Sequence, residues 1–247
     1  MTFLASPNLP DSQVALAAID EAQTAVICAL ERYGVDCIGV SPNLRLDAPV
    51  RSHADMLIHH LGGRDVLVES VGAGHARRLS AHGFEVLTIE KPLERNYPHD
   101  AALNAARVGR HLVCGKHVAP EIALYCRQNE IAPVYCAQGY ARCAVCIVGE
   151  NALITADPSI AQVCEGAGMD VLRIRAGHIR LEGYPYGFIG GCCGLLDSGL
   201  LAFTGDVLRH PDGKAMVDFM GGHGVKYIDL TGGELVDIGG ILPLGCK

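Results

Sequence analysis

One succession of short elements recurs along this 247-residue chain, and it limits the fold more than any single residue does. "ADMLIHHL" and "DVLVES" flank a Gly-Gly-Arg turn, and "VGAGHARRLSAHG" and "FEVLTIE" follow them. The order returns in "DAALNAARV", "HLVCGKH", "APEIALYCRQNE" and "IAPVYC", and again in "RCAVCIV", "ALITAD", "PSIAQVCEGAG" and "MDVLRIR". A further round reads "FIGGCCGLL", "LLAFTGD", "PDGKAMVDFMGGHG" and "VKYIDL". Turns such as Gly-Gly, Glu-Asn and Asp-Ser-Gly join the first two members of a round as hairpins. The third member starts near Pro or Asp and ends at Gly, the punctuation of a helix. Each unit of roughly 40–50 residues therefore reads strand–strand–helix–strand.

The remainder is as informative as the repeats. After the last full round only "ELVDIGGILPL" is left, a lone strand. The N-terminus offers what it lacks: a strand "TFLAS", a helix from about Asp11 to Arg32, and a strand "VDCIGVS". Joining the two ends makes a fifth unit, and a ring closed this way needs no capping repeats, which a linear solenoid would. The expected fold is one α/β domain over residues 1–247, a five-bladed α/β propeller closed by its own termini. An open α/β sheet in two lobes is the rival that the repeats disfavour.

With 49% hydrophobic and 19% charged residues the chain can build a core. No apolar run reaches the ~18 residues of a membrane span, and "MTFLASPNLPDSQ" lacks the basic start and apolar centre of a signal peptide. A net charge of −7 without a basic stripe argues against nucleic acid or an anionic membrane as partner. The eleven cysteines sit mostly inside apolar runs, as reduced cysteines do when used as small hydrophobes, which favours the cytoplasm. "GFIGGCCG" lacks the spacing of a dinucleotide fingerprint, and no cofactor is expected.

Three stretches carry chemistry. In "SHADMLIHHLGGRDVLVE" an imidazole and a carboxylate stand two apart at the start of a hairpin. On a strand, residues i and i+2 share a face, so His53 and Asp55 would both point into a central cavity. "QGYARCAVCIV" places Arg142 before Cys143, and "ELVDIGGIL" places Asp237 before a Gly-Gly pair.

Together with the fivefold pattern, these stretches resemble the pentein superfamily, which includes arginine deiminase, agmatine deiminase, dimethylarginine hydrolase, the amidinotransferases and non-catalytic ribosome-binding relatives. The resemblance covers nearly the whole chain by repeat and three short stretches by motif. It implies Cys143 as nucleophile, His53 as general acid/base, Asp55 as a substrate-binding carboxylate, and Asp237, where the deiminases usually have Glu, as the partner of His53. The His-x-Asp unit precedes the Cys unit by one intervening unit, as in the catalytic relatives, but the chain is opened at a different blade and reads as circularly permuted. One departure concerns "YGFIGGCCGLL", which has no carboxylate where the family carries an acidic clamp. That puts arginine, agmatine and methylarginine in question, and suggests a substrate contacted by the backbone amides of Gly190 and Gly191.

A cysteine attacks as thiolate, favoured by nearby positive charge, which protonated His53 or an inward-turned Arg142 would supply. Counted from the hairpin turns, however, Cys146 shares the strand parity of Asp55 and Asn104 while Cys143 is one residue out of register, so Cys146 is the alternative nucleophile. A bulge would reconcile the two. Cys143, Cys146, Cys192 and Cys193 also invite a zinc reading, but adjacent cysteines on a strand point to opposite faces, and no metal is expected. Asp100 and Asn104, in "NYPHDAALN", would add polar groups from the second blade, with a capping role for Asp100 as the alternative. The bland alternatives for His53 and Asp55 are a hydrogen-bonded histidine and a strand-entry residue. Asp206 and His210 lead into the fourth helix, and Tyr140, Tyr184 and Tyr186 suit a pocket mouth. The leading expectation is a cysteine-dependent hydrolase of a C–N bond in a small guanidine, amidine or related molecule. A non-catalytic binding protein of the same fold is the second, and a metal-binding protein the third. The oligomeric state is left open.

Overall fold

In the computed structural model, residues 1–70 and 72–247 are described; Val71, at the head of the segment expected as the helix of the first full unit, lies outside them. The chain opens with β1 (Thr2–Phe3), β2 (Val14–Asp20), α1 (Thr24–Arg32) and β3 (Asp36–Val40). A helical turn, α2 (Ala54–Leu57), leads into β4 (Ile58–Gly62), β5 (Asp65–Val68), α3 (Gly74–Ala81) and β6 (Glu85–Thr88). The next blade is β7 (Ala106–Val108), β8 (His111–Cys114), α4 (Pro120–Gln128) and β9 (Ala132–Tyr135). A second turn, α5 (Ala141–Ala144), precedes β10 (Val145–Gly149), β11 (Ala152–Thr155), α6 (Pro158–Gly166) and β12 (Asp170–Arg173). The fourth complete blade holds β13 (Cys193–Asp197), β14 (Leu200–Phe203), α7 (Gly213–Gly222) and β15 (Lys226–Asp229), and β16 (Leu242–Cys246) ends the chain.

Each blade pairs its first two strands antiparallel and its last two parallel, the latter joined by a crossover helix. Burial falls along each blade from the first strand to the last. β4, β7 and β16 are buried throughout, whereas β6, β9 and β12 are half-exposed or exposed at every position. The first strands thus crowd round a common axis and read as continuous apolar runs. Helix ends follow local chemistry. Asp157 caps α6 through Ser159 N and Ile160 N, with Pro158 in the first turn. Gly168 after α6 takes a left-handed φ of 83°, and Glu130 adopts the same region after α4, where a side chain is disfavoured.

The fifth blade closes the ring as expected but from different parts. β16 pairs antiparallel with β2, and β2 pairs parallel with β3, so the order across the sheet is β1-β16-β2-β3. The helix expected from about Asp11 begins only at Thr24, because "VALAAID" is a strand. A short apolar run flanked by other strands buries on both faces, and its periodicity alone does not separate it from a helix. "TFLAS" contributes only the edge pair Thr2–Phe3, and in "ELVDIGGILPL" the strand proper starts at Leu242.

Neighbouring blades are tied by buried polar contacts. His75 at the start of α3 pairs with Glu69 (Nε2–Oε2 3.0 Å) and meets the Ser41 hydroxyl, which follows β3, at 3.3 Å. In β4, His59 bonds Leu103 O and His60 bonds Gly63 O. Burial pushes these imidazoles down to about 3 and about 4, so both are neutral packing groups. Nine of the eleven cysteines are buried. Among the described residues no helix is long and apolar enough to cross a membrane.

Candidate active site

The first strands do not run straight into the hub. α2 precedes β4, α5 precedes β10, and a 3₁₀ turn over Ile189–Cys192 precedes β13. These turns, rather than the strands, carry the chemistry. Asp55 lies in α2 with His53 just ahead of it, and Arg142 and Cys143 lie in α5. The expectation that His53 and Asp55 share a strand face is therefore corrected, and the parity objection to Cys143 goes with it. A helical turn resets side-chain direction, so counting back from the hairpin places Cys143 wrongly.

Asn104 joins two of these turns. Its Oδ1 accepts from Arg142 N (2.8 Å) and Cys143 N (3.2 Å), while Nδ2 donates to Asp55 O (3.0 Å) and Cys143 Sγ (2.9 Å) and lies 3.3 Å from Met56 Sδ. The first N–H groups of a helical turn have no partner within it. Asn104 supplies one, and in doing so fixes where the thiol stands.

A cavity of about 270 Å³ opens on the hub, with His53, Cys143, Asp237 and Asp100 among its lining. Its other walls are apolar and aromatic: Met56, Leu181, Tyr140, Tyr184, Tyr186 and Phe188, with Val50 and Pro185. His53 Nδ1 stands 3.8 Å from Asp237 Oδ1, too long for a hydrogen bond but a close charge contact. Asp237 in turn accepts from Phe188 N (2.8 Å) and Gly239 N (3.0 Å). Burial raises the Asp237 carboxyl above its ordinary value, against the lowering effect of His53.

The thiol is not a resting thiolate. Burial, then the carboxylates of Asp55 and Asp237, push Cys143 well above its ordinary value. Asp55 is 1% exposed and stands beside that thiol, whose proton it favours; no other hydrogen-bond donor among the described residues reaches either of its oxygens, and it lies outside the cavity lining. Arg142, expected as a cation for the thiol, turns its Nη1 to Gly190 O (3.1 Å) and Val145 O (3.4 Å) instead.

The other expected residues divide cleanly. Cys146 is fully buried on β10 beside Cys193, away from the cavity lining, and the hydrogen bond with that neighbour, then burial, raise its thiol. Cys192 and Cys193 direct their sulfurs to the carbonyls of Phe188 and Ile189. Among the described residues no group of three or more His, Cys, Asp or Glu is arranged to hold a metal. Gly190 and Gly191 do not line the cavity, which corrects their reading as substrate amides. A methyl on Gly190 would strike the carbonyls of Arg142, Val145 and Cys143, and one on Gly191 the Asp237 carboxylate. They are glycines because blades meet there. Asp100 caps no helix; its Oδ2 accepts from the Tyr140 hydroxyl at 2.7 Å at the cavity wall. Asp206 caps a short 3₁₀ turn, away from the site. Met56, Leu181 and Phe188 were not singled out from sequence. Met56 follows the His-x-Asp pair directly, and that adjacency was the one available signal.

Comparison with solved structures places the fold among the penteins. An inosamine-phosphate amidinotransferase of Streptomyces griseus superposes with a TM-score of 0.59 at 11% identity, over 99% of this chain and 97% of that one. SxtG, an amidinotransferase of the saxitoxin biosynthetic pathway from Microseira wollei, gives 0.57 at 11% identity over the same shares. Substrate-bound agmatine deiminase of C. jejuni gives 0.55 at 8% identity, over 99% and 96%. No curated protein matches significantly by sequence. The model of the family of unknown function DUF6873 matches residues 18–242, nearly the whole ring, and the chain belongs to that family.

Proposed function

We propose that the protein is a cysteine-dependent hydrolase of a C–N bond in a small amidine or guanidine cation. The observation that carries this reading is the buried Asp55 carboxylate, whose one neighbour to donate is the Cys143 thiol, the same thiol that lines the cavity with His53 and Asp237; Asp55 itself lies outside that lining. A carboxylate left without a partner in the interior is costly, and a planar N–H donor with positive charge would satisfy both its oxygens. Burial does most to hold the thiol protonated, and the same cation placed against Cys143 would offset the two carboxylates that add to it. The solved relatives with this fold include two amidinotransferases and an agmatine deiminase, which agrees with an amidine carbon as the target.

In the proposed sequence Cys143 passes its proton to His53, and sulfur forms a bond to the amidine carbon. The C–N bond then breaks, and the departing amine takes the proton from His53. Neutral His53 next removes a proton from water, whose oxygen bonds to the carbon. The C–S bond breaks, the thiol regains its proton, and an amide or urea leaves. Asp237, 3.8 Å from the imidazole, faces it as the nearby carboxylate between the two proton transfers. Circular permutation fits the closed ring, in which the blade led in by Asp237 adjoins the one led in by His53 and Asp55.

Chloroacetamidine tests the reading against chloroacetamide, its neutral counterpart, with the modified residue found by mass spectrometry. Cys143 should react faster with the cationic reagent, and His53→Ala should slow it. Equal rates with both reagents, indifferent to His53→Ala, would leave a pentein-fold binding protein. The high resting position of the thiol favours that second reading only if no cation brings it down.

A further inference from the structure

The cavity lining holds a carboxylate with one free oxygen, distinct from the Asp55 carboxylate beside the thiol. Asp100 is 7% exposed; Tyr140 occupies its Oδ2, and its Oδ1 is buried with no partner among the described residues. Burial raises this carboxyl above its ordinary value, so keeping it there costs the fold something. Among the described residues no lysine or arginine lines the cavity, and the buried Arg142 is turned to backbone carbonyls. Two buried acids, Asp100 and Asp237, thus share the lining with one imidazole, and a third, Asp55, is buried beside Cys143.

Resting on the amidine reading above, we propose that Asp100 is a specificity residue, and that the substrate carries a second cationic or hydrogen-bond-donating group and no carboxylate. Asp55 takes the amidine head at Cys143, and the free oxygen of Asp100 takes the second group. The aromatic walls of Tyr140, Tyr184, Tyr186 and Phe188 enclose an apolar body between them and favour positive charge over negative. An amino-acid substrate would bring its carboxylate among aromatic walls and acids, where the arginine of the adjoining cavity, Arg180, is already paired with Glu234.

Four probes separate the possibilities by calorimetry on the full-length Cys143→Ser protein, which lacks the thiol that would turn an amidine over: pentanamidine, its ω-amino derivative, its ω-carboxy derivative, and the neutral amide bearing the same ω-amino chain. The ω-amino amidine should bind about tenfold tighter than the parent, as one charge-assisted hydrogen bond allows, and the ω-carboxy amidine weaker than both. Asp100→Asn, which can still accept from Tyr140, should collapse the ω-amino advantage, while Tyr140→Phe, which keeps the carboxylate, should retain it. Preference for the ω-carboxy probe, or an ω-amino advantage that survives Asp100→Asn, would overturn the proposal. If the neutral amide binds as well as the amidine, the head-group reading fails while the assignment of Asp100 stands. Absence of binding by all four would sink both.

Discussion

Removing Asn104 tests whether one amide positions the nucleophile. Its side chain is 1% exposed, and Asn104→Ala would strip two backbone N–H groups, Arg142 N and Cys143 N, of their partner in a place water does not reach. Each such orphan costs about 1–3 kcal/mol, so the pair costs about 2–6 kcal/mol before any loss from the contacts of Nδ2. That is a large part of the stability of a typical domain, about 5–15 kcal/mol. For a chain of this size it corresponds to a fall of roughly 5–20 °C in Tm. Asn104→Asp keeps the acceptor, and with it both N–H bonds, but loses the donor and sets a new charge near Asp55 and Cys143. It should be weakened at neutral pH and recover as the pH falls, because a protonated carboxyl restores one donor. Urea unfolding followed by circular dichroism measures both variants. An Asn104→Ala protein within about 1 kcal/mol of wild type would refute the account, since two orphaned donors cannot cost so little.

Asp55→Asn removes the largest charge acting against the Cys143 thiolate, so its thiol should titrate lower and react faster with neutral iodoacetamide at mildly alkaline pH, while the preference for chloroacetamidine is lost. If both rates fell together, Asp55 would not be acting through charge. Gly191→Ala drives a methyl into the Asp237 carboxylate, an overpacking worth about 1–3 kcal/mol in denaturant unfolding; a neutral result would contradict the tight blade contact. Asp100 has a folded pKa raised above the unfolded value of ~4, so wild type loses stability as pH rises through the folded value. Asp100→Asn should therefore be at least as stable as wild type at neutral pH, with the difference vanishing below about pH 4; a neutral-pH loss would show that the carboxylate is a structural tie.

The parts of the fold visible in the sequence are those governed by burial along a strand. Inner strands such as "VCIVG" are apolar throughout and outer ones such as "DVLR" are not, because the first face the axis and the last face water. Closure by the termini was also legible, from the one strand left over. "VALAAID" misled because a buried strand of this length carries no period that separates it from a helix. The short helical turns at the hub left no signal, since "HADML" and "YARCA" lack turn residues, and so strand parity pointed to Cys146. Gly190 and Gly191 were conspicuous, but a glycine that admits a ligand and one that admits a neighbouring blade look alike in sequence. The bonds of Asn104 depend on two other blades and were beyond reach.

The surplus of acid at the hub links specificity to reactivity. A protein gains nothing in stability from carboxylates buried without partners, and replacing them with neutral groups would be the easier solution. Asp55 beside the thiol, and one oxygen of Asp100 among the aromatic walls, are held in that state all the same. On the proposed reading the missing charge arrives with the substrate. An amidinium against Asp55 satisfies a buried acid and offsets the negative field that keeps Cys143 protonated, so binding and activation of the nucleophile are one electrostatic event. A neutral molecule of the same shape would fill the cavity and leave the thiol as it was. Selectivity for a cation then needs no clamp from the fourth blade, where Gly190 and Gly191 stand, because Asp55, one of the carboxylates that help keep the thiol protonated, is also the one that takes the amidinium.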